Sequence, residues 1–124
     1  MIVNGVLVEL TARPDSSGEL DEILERVLRL ADDEVQSELN VLLVADDHTR
    51  TVLHFFMDPV ARAEHMAGPA SQAIAYSARL LEDEPLVVEF DLPVDVAAEL
   101  EQHVGRHGIV IDLRTCGEPL TTTG

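Results

Sequence analysis

The chain has 124 residues, 46% of them hydrophobic, which is enough for one domain to close a core without metal or disulfide staples. Its formal charge of −16 comes from 24 acidic against 8 basic residues, a balance that repels phosphate backbones and anionic lipid and argues against nucleic acid and membrane surfaces as partners. Cys116 is the only cysteine, so an internal disulfide and a cysteine-built metal centre are excluded.

No apolar run reaches the roughly 18 residues of a membrane span, and Met1 is not followed by a basic segment of the kind that opens a signal peptide. The expected location is the cytoplasm. Aromatic residues make up 3% and tryptophan is absent, so Leu, Val and Ala must fill the core and any pocket should be aliphatic.

In chain order, Val3 to Ala12 alternates as a strand, with Val6, Val8 and Leu10 on one face, and is closed by Pro14. Ser16 and Glu19 then have capping-box spacing, and Leu20, Ile23, Leu24, Val27, Leu28 and Ala31 recur at helical intervals. Leu39 to Ala45 and Thr51 to Met57 flank a polar turn and read as an antiparallel hairpin. Asp58 supplies an N-cap with Pro59 at the first helical position, and the helix runs to about Met66. Gly68-Pro69 interrupts it before a second length over Ala70 to Glu82. Leu86 to Leu92 is a further strand ended by Pro93, Asp95 caps a short helix that ends at Gly105, and Ile109 to Leu113 suits an edge strand.

Strand, helix, strand, strand, helix, strand is the split-βαβ order of the α+β ferredoxin-like class with an antiparallel sheet. Residues 1–93 make up this domain, and 94–124 add a helix, a possible edge strand and a tail to it. In the hairpin both faces are apolar: Leu39, Val41 and Leu43 alternate with Leu42 and Val44, and Leu53, Phe55 and Met57 alternate with Val52 and Phe56. Two helices cover one face of such a sheet, so the other calls for an outside cover, most simply the sheet of a second copy in a homodimer.

The pattern His54-x-Phe56-x-Asp58-x-x-Ala61-x-x-x-His65, followed by Gly68-Pro69 and the helix closing at Leu80-Leu81, resembles the antibiotic-biosynthesis monooxygenase family of dimeric α+β barrels. The resemblance covers Val3 to Leu92. Asp58, Ala61 and His65 match the family; His54 stands where it has Glu, and Phe56 where it has Trp or Tyr. It implies a homodimer with one cleft per subunit between sheet and helices, and a cofactor-independent monooxygenase acting on an aromatic or quinol-type small molecule. The haem-degrading branch pairs a first-strand Asn with a Trp and a ligating His on the second helix. Asn4 matches the first of these, but tryptophan is absent and Ala75-Tyr76 falls about where the ligand would, so no haem is expected.

His65 is the candidate base, since a neutral imidazole can take a phenolic proton near neutral pH. His54 lies two residues from Phe56 in a strand, so both point to one face and the two imidazoles could meet there. Phe56 can stack on a ring but donates no hydrogen bond. Tyr76, the only tyrosine, could bond a carbonyl; Arg62 and Arg79 could hold an anion; Asn4 and Asn40, disfavoured in strands, suit an edge or a pocket amide. His103 and His107 have i, i+4 spacing with Gly105 between them, which breaks the helix a zinc pair needs, so no metal is expected. No flavin or nicotinamide is expected either, because there is no G-x-G-x-x-G and no phosphate-binding loop. The rival reading is a non-catalytic dimeric module that binds a small apolar ligand or only assembles.

Overall fold

In the computed structural model, residues 4–33, 37–102 and 109–114 are described. The elements are β1 (Asn4–Thr11), α1 (Ser17–Asp33), β2 (Ser37–Val44), β3 (Thr49–Phe56), α2 (Pro59–Met66), α3 (Pro69–Tyr76) with a 3-10 turn over Ser77–Leu80, β4 (Leu86–Asp91), α4 (Val94–Glu101) and β5 (Ile109–Asp112). The sheet order is β4-β1-β3-β2-β5. The first four strands pair antiparallel in the split-βαβ order, as expected. The sheet as a whole is mixed, because β5 joins β2 in parallel at the edge. A chain leaving β4 at one edge returns along the opposite edge, and the direction of that return sets the parallel pairing.

The cross-strand register puts Val6 opposite His54 and Val8 opposite Val52, so the residues that alternate inward on β1 and β3 share the face that α1, α2 and α3 cover. On that face Val6, Val8, Leu10, Leu20, Leu24, Val27, Val52 and Phe56 form one buried core. Arg50 is also buried there, its charge met by two bonds from the guanidinium to Asp21, at 2.7 and 3.2 Å, and one to the Asp46 carbonyl at 2.7 Å. A buried cation persists only when it is paired in this way.

The second face buries Leu39, Val41 and Phe55, with Leu43, Leu53, Phe90 and Leu92 half-buried around them. Part of this face is therefore covered within the chain itself. Gly5 is what lets Phe90 cross it: a Cβ at Gly5 would meet the Phe90 ring at 2.7 Å and the His54 carbonyl at 3.0 Å. Phe90 in turn meets Phe55 edge to face, with centroids 6.2 Å apart. Leu86, Val88 and Ile111 remain exposed on this face.

The helix boundaries follow from local chemistry. Asp58 caps α2, its carboxylate accepting the Ala61 N–H at 2.8 Å, and Pro59 occupies a position whose N–H is not needed. Gly68-Pro69 ends α2, and the following helix is shorter than expected because the backbone tightens at Ser77, whose hydroxyl bonds back to the Ile74 carbonyl at 2.6 Å. The cap of α4 also differs from expectation. The Pro93 carbonyl accepts the Ala97 N–H, so Pro93 takes the capping position and Asp95 falls in the first turn, where its charge suits the helix dipole. The expected end of this helix at Gly105 lies outside the described residues, as do His103, His107 and Cys116.

Candidate functional site

Along the helix-covered face the register aligns Glu89 of β4, Val6 of β1, His54 of β3 and Asn40 of β2 in one row, with Asn4 opposite Phe56 in the next. Besides the row of the paired Arg50, two rows of this largely apolar core thus carry polar side chains. Asn4, Asn40 and His54 are all buried, at 1%, 2% and 0% exposure. Burying such groups costs stability unless they find partners, so a cluster of them marks a place where something other than packing set the sequence.

His65 comes from the last turn of α2 and is also buried, at 1% exposure. Its ring lies 4.2 Å from His54 and 5.0 Å from Phe56, centroid to centroid, tilted to both by nearly 50°. The turn that presents it is tied down, because the His65 carbonyl accepts both the Gly68 N–H at 2.9 Å and the Ser71 hydroxyl at 3.0 Å. The Gly68-Pro69 interruption therefore fixes where the His65 side chain points.

Behind His65, His54 Nδ1 and Asn40 Oδ1 are 2.6 Å apart, and Asn40 Nδ2 donates to Asp32 Oδ1 at the end of α1 at 3.2 Å. Among the described residues His54 Nε2 has no partner, and neither does either side-chain atom of Asn4. Burial holds the His54 imidazole well below the ordinary histidine range, and charge on His65 pushes it further down. His54 is consequently neutral at pH 7.

In front of His65 a cleft of about 490 Å³ opens between sheet and helices, lined by Val6 and Val8 of β1, Val87 of β4, His65 and Met66 of α2, Ser71, Ile74 and Ala75 of α3, then Ala78 and Glu84-Pro85. That volume suits a small ligand, and the lining is apolar apart from His65, Ser71 and Glu84. A larger depression of about 610 Å³ between α1 and α3 is lined mainly by Glu19, Glu22, Arg26, Tyr76 and Arg79. Its best-placed charges already neutralise each other, with Arg79 2.8 Å from Glu19. The cleft before His65 is the better candidate of the two, since its lining includes a buried titratable group that packs against a second buried imidazole.

The structure brings together His54, His65, Phe56 and Asn40, with Asn4 in the adjoining row. It does not bring in Tyr76, which is 66% exposed on the outer side of α3 beneath the Arg79 guanidinium. Arg62 is likewise turned away, toward Glu89 at 3.5 Å, Asp91 at 3.8 Å and the Phe90 carbonyl at 3.4 Å. Phe56 is fully buried beneath His65 and forms no part of the cleft surface. Sequence reasoning missed Asp32, Ser71 and Glu84. Asp32 stands at the polar end of an amphipathic helix and Glu84 in an acidic loop, where a carboxylate is unremarked; Ser71 acts through a turn that spacing alone does not define. Among the described residues no three His, Cys, Asp or Glu side chains converge in a way that could hold a metal, and no helix is long and apolar enough to cross a membrane.

No protein-family model and no curated protein matches the sequence. Solved structures do match. A Nitrosomonas europaea protein of unknown function, NE2512, is 28% identical, with a TM-score of 0.70 over 74% of this chain and 90% of its own. Rv0793 from Mycobacterium tuberculosis is 21% identical, with a TM-score of 0.66 over 75% and 96%. A structure named as an antibiotic biosynthesis monooxygenase is 14% identical, with a TM-score of 0.66 over 73% of this chain and 98% of its own. Identities this low carry the architecture and not the chemistry. The chain has the ferredoxin-like α+β fold of the antibiotic biosynthesis monooxygenases.

Proposed function

We propose that the protein is a cofactor-independent monooxygenase for an aromatic or quinol-type small molecule. The observation that carries this reading is the pair of buried imidazoles, His54 and His65, at the back of an apolar cleft. In such chemistry the substrate does the hard part. His65 takes a proton from an electron-rich phenol or anthrone, and the resulting anion passes one electron to dioxygen. The two radicals then join to form a C–O bond. The peroxide O–O bond breaks as water leaves, and the carbon is left as a carbonyl. The protein has to bind, exclude water and hold the proton, which an aliphatic cleft with an imidazole can do.

The test is oxygen uptake with dithranol or a simple quinol, using wild type and His65→Gln. Loss of a general base is expected to lower turnover about 10²–10⁴-fold. Because His65 is buried, the urea midpoint is measured alongside, and the comparison is made at a denaturant-free temperature where both forms are folded. Unchanged turnover in the variant would remove His65 from the chemistry.

A second reading, a non-catalytic module that binds a small apolar ligand, is supported by the placement of Tyr76 and Arg62 outside the cleft. That leaves few polar groups to orient a substrate. Oxygen uptake separates the readings, since a binding module takes up dithranol without consuming oxygen. In either case we propose a homodimer through the second sheet face, where Leu86, Val88 and Ile111 are exposed. A stable interface buries about 800 Å² per partner. Sedimentation as a monomer at micromolar concentration would defeat the dimer.

A further inference from the structure

We infer that Asp32 and Asn40 are a positioning pair that locks the His54 ring with its proton on Nδ1, so that the bare Nε2 is an acceptor kept ready behind His65. The inference deepens the reading of His54 and His65 as the proton-handling groups of the cleft and rests on it for its functional meaning.

Asn40 Nδ2 donates to an Asp32 carboxylate oxygen at 3.2 Å, which sets the orientation of the amide. Turning the amide over would set its oxygen against the carboxylate. With Nδ2 so fixed, Asn40 presents Oδ1 to His54, and an oxygen at 2.6 Å requires a proton on Nδ1. The opposite tautomer would face a bare nitrogen with a carbonyl oxygen and bury an N–H with no acceptor, since Nε2 has no partner among the described residues. Each link forces the next.

The consequence is a fixed division of labour. His65 lines the cleft and His54 does not. The two rings lie 4.2 Å apart, centroid to centroid, so the ring that carries the bare Nε2 is packed against the ring that meets a ligand. Neither Asp32 nor Asn40 touches the cleft. They act through His54, and Asp32 does so from α1, on the far side of the sheet row.

The experiment is ¹⁵N–¹H correlation of the histidine ring nitrogens at pH 7.5 in the full chain. Wild type is expected to give, for His54, a protonated-type Nδ1 and a bare-type Nε2. In Asp32→Asn, whose amide can donate or accept, a population with Nε2 protonated should appear, and kcat for dithranol should fall about 10–100-fold with KM unchanged. A wild-type His54 protonated on Nε2 overturns the proposal, whether or not any variant folds. So does an unchanged tautomer in a folded Asp32→Asn, or in Asn40→Leu. If the tautomer behaves as stated but wild type consumes no oxygen with any quinol, the oxygenase reading fails while the positioning pair stands.

Discussion

The two faces of this sheet are woven from the same strands and bury different chemistry. The second face gathers Leu39, Val41 and Phe55 with Leu43, Leu53 and Phe90 and contains no titratable group in its cluster. The helix-covered face has the larger apolar core, yet it admits Asn4, Asn40 and His54 across two neighbouring rows of the register. Since side chains alternate along a strand, His54 and Phe55 are one residue apart and serve opposite ends. The comparison teaches that buried position alone does not identify purpose. Apolar residues on either face are explained by packing and Arg50 by its pairing with Asp21, whereas Asn4 and His54 Nε2 are buried without partners among the described residues.

The largest expected effect breaks the packing face. Phe55→Ala removes a ring that is 7% exposed and that meets Phe90 edge to face. It should cost about 3–5 kcal/mol, since the aromatic volume is lost and the cavity closes only in part. Urea unfolding of the variant checks the figure. A loss below about 1 kcal/mol would mean that the second face is loosely packed in the isolated chain, and would shift its purpose toward assembly.

How far each face was legible in the sequence follows from the kind of signal it carries. The strand order, the hairpin and the Asp58-Pro59 helix start could be read because period, cap and breaker residues act locally. The meeting of His54 with His65 could be anticipated from face and spacing. Burial of His65 could not, because it depends on how α2 lies over Phe56. Tyr76 and Arg62 read equally well as cleft or surface residues, since half a turn of rotation about the helix axis separates the two and periodicity in an alanine-rich helix does not fix that rotation. The Asp32 to Asn40 bond was invisible for another reason: it joins the end of α1 to the middle of β2, and only the packed helix brings the two together. The parallel pairing of β5 depends on which edge the chain returns to, which composition does not state.

On the helix-covered face an effect of opposite sign is expected. Both side-chain atoms of Asn4 lack partners among the described residues although the residue is 1% exposed. Replacing it by an apolar residue of similar size, Asn4→Leu, removes the desolvation penalty of two unsatisfied groups and should stabilise the fold by about 1–3 kcal/mol. A rise in the urea midpoint, with weaker binding of a quinol, would identify Asn4 as a group kept for a ligand at a cost in stability. A fall would show that Asn4 has partners in the folded chain.

The smallest effect is a dependence on pH that belongs to the helix-covered face alone. Burial, reinforced by charge on His65, holds His54 well below its ordinary value of 6.5. Above pH 6.5 the ring is neutral in both the folded and unfolded chain and the stability it permits is fully present. As pH falls below 6.5 the unfolded chain takes up a proton that the folded chain does not. Stability is then lost at up to about 1.4 kcal/mol per pH unit, and the loss ends once the folded pKa is passed. Urea midpoints between pH 7.5 and 5 should therefore fall more steeply for wild type than for His54→Gln, which has no such proton to refuse. Phe55→Leu, altered only on the second face, should keep the wild-type slope while lowering every midpoint. If His54→Gln and wild type run parallel over this range, the imidazole is protonated equally in both states, and His54 is not the neutral acceptor that its surroundings require.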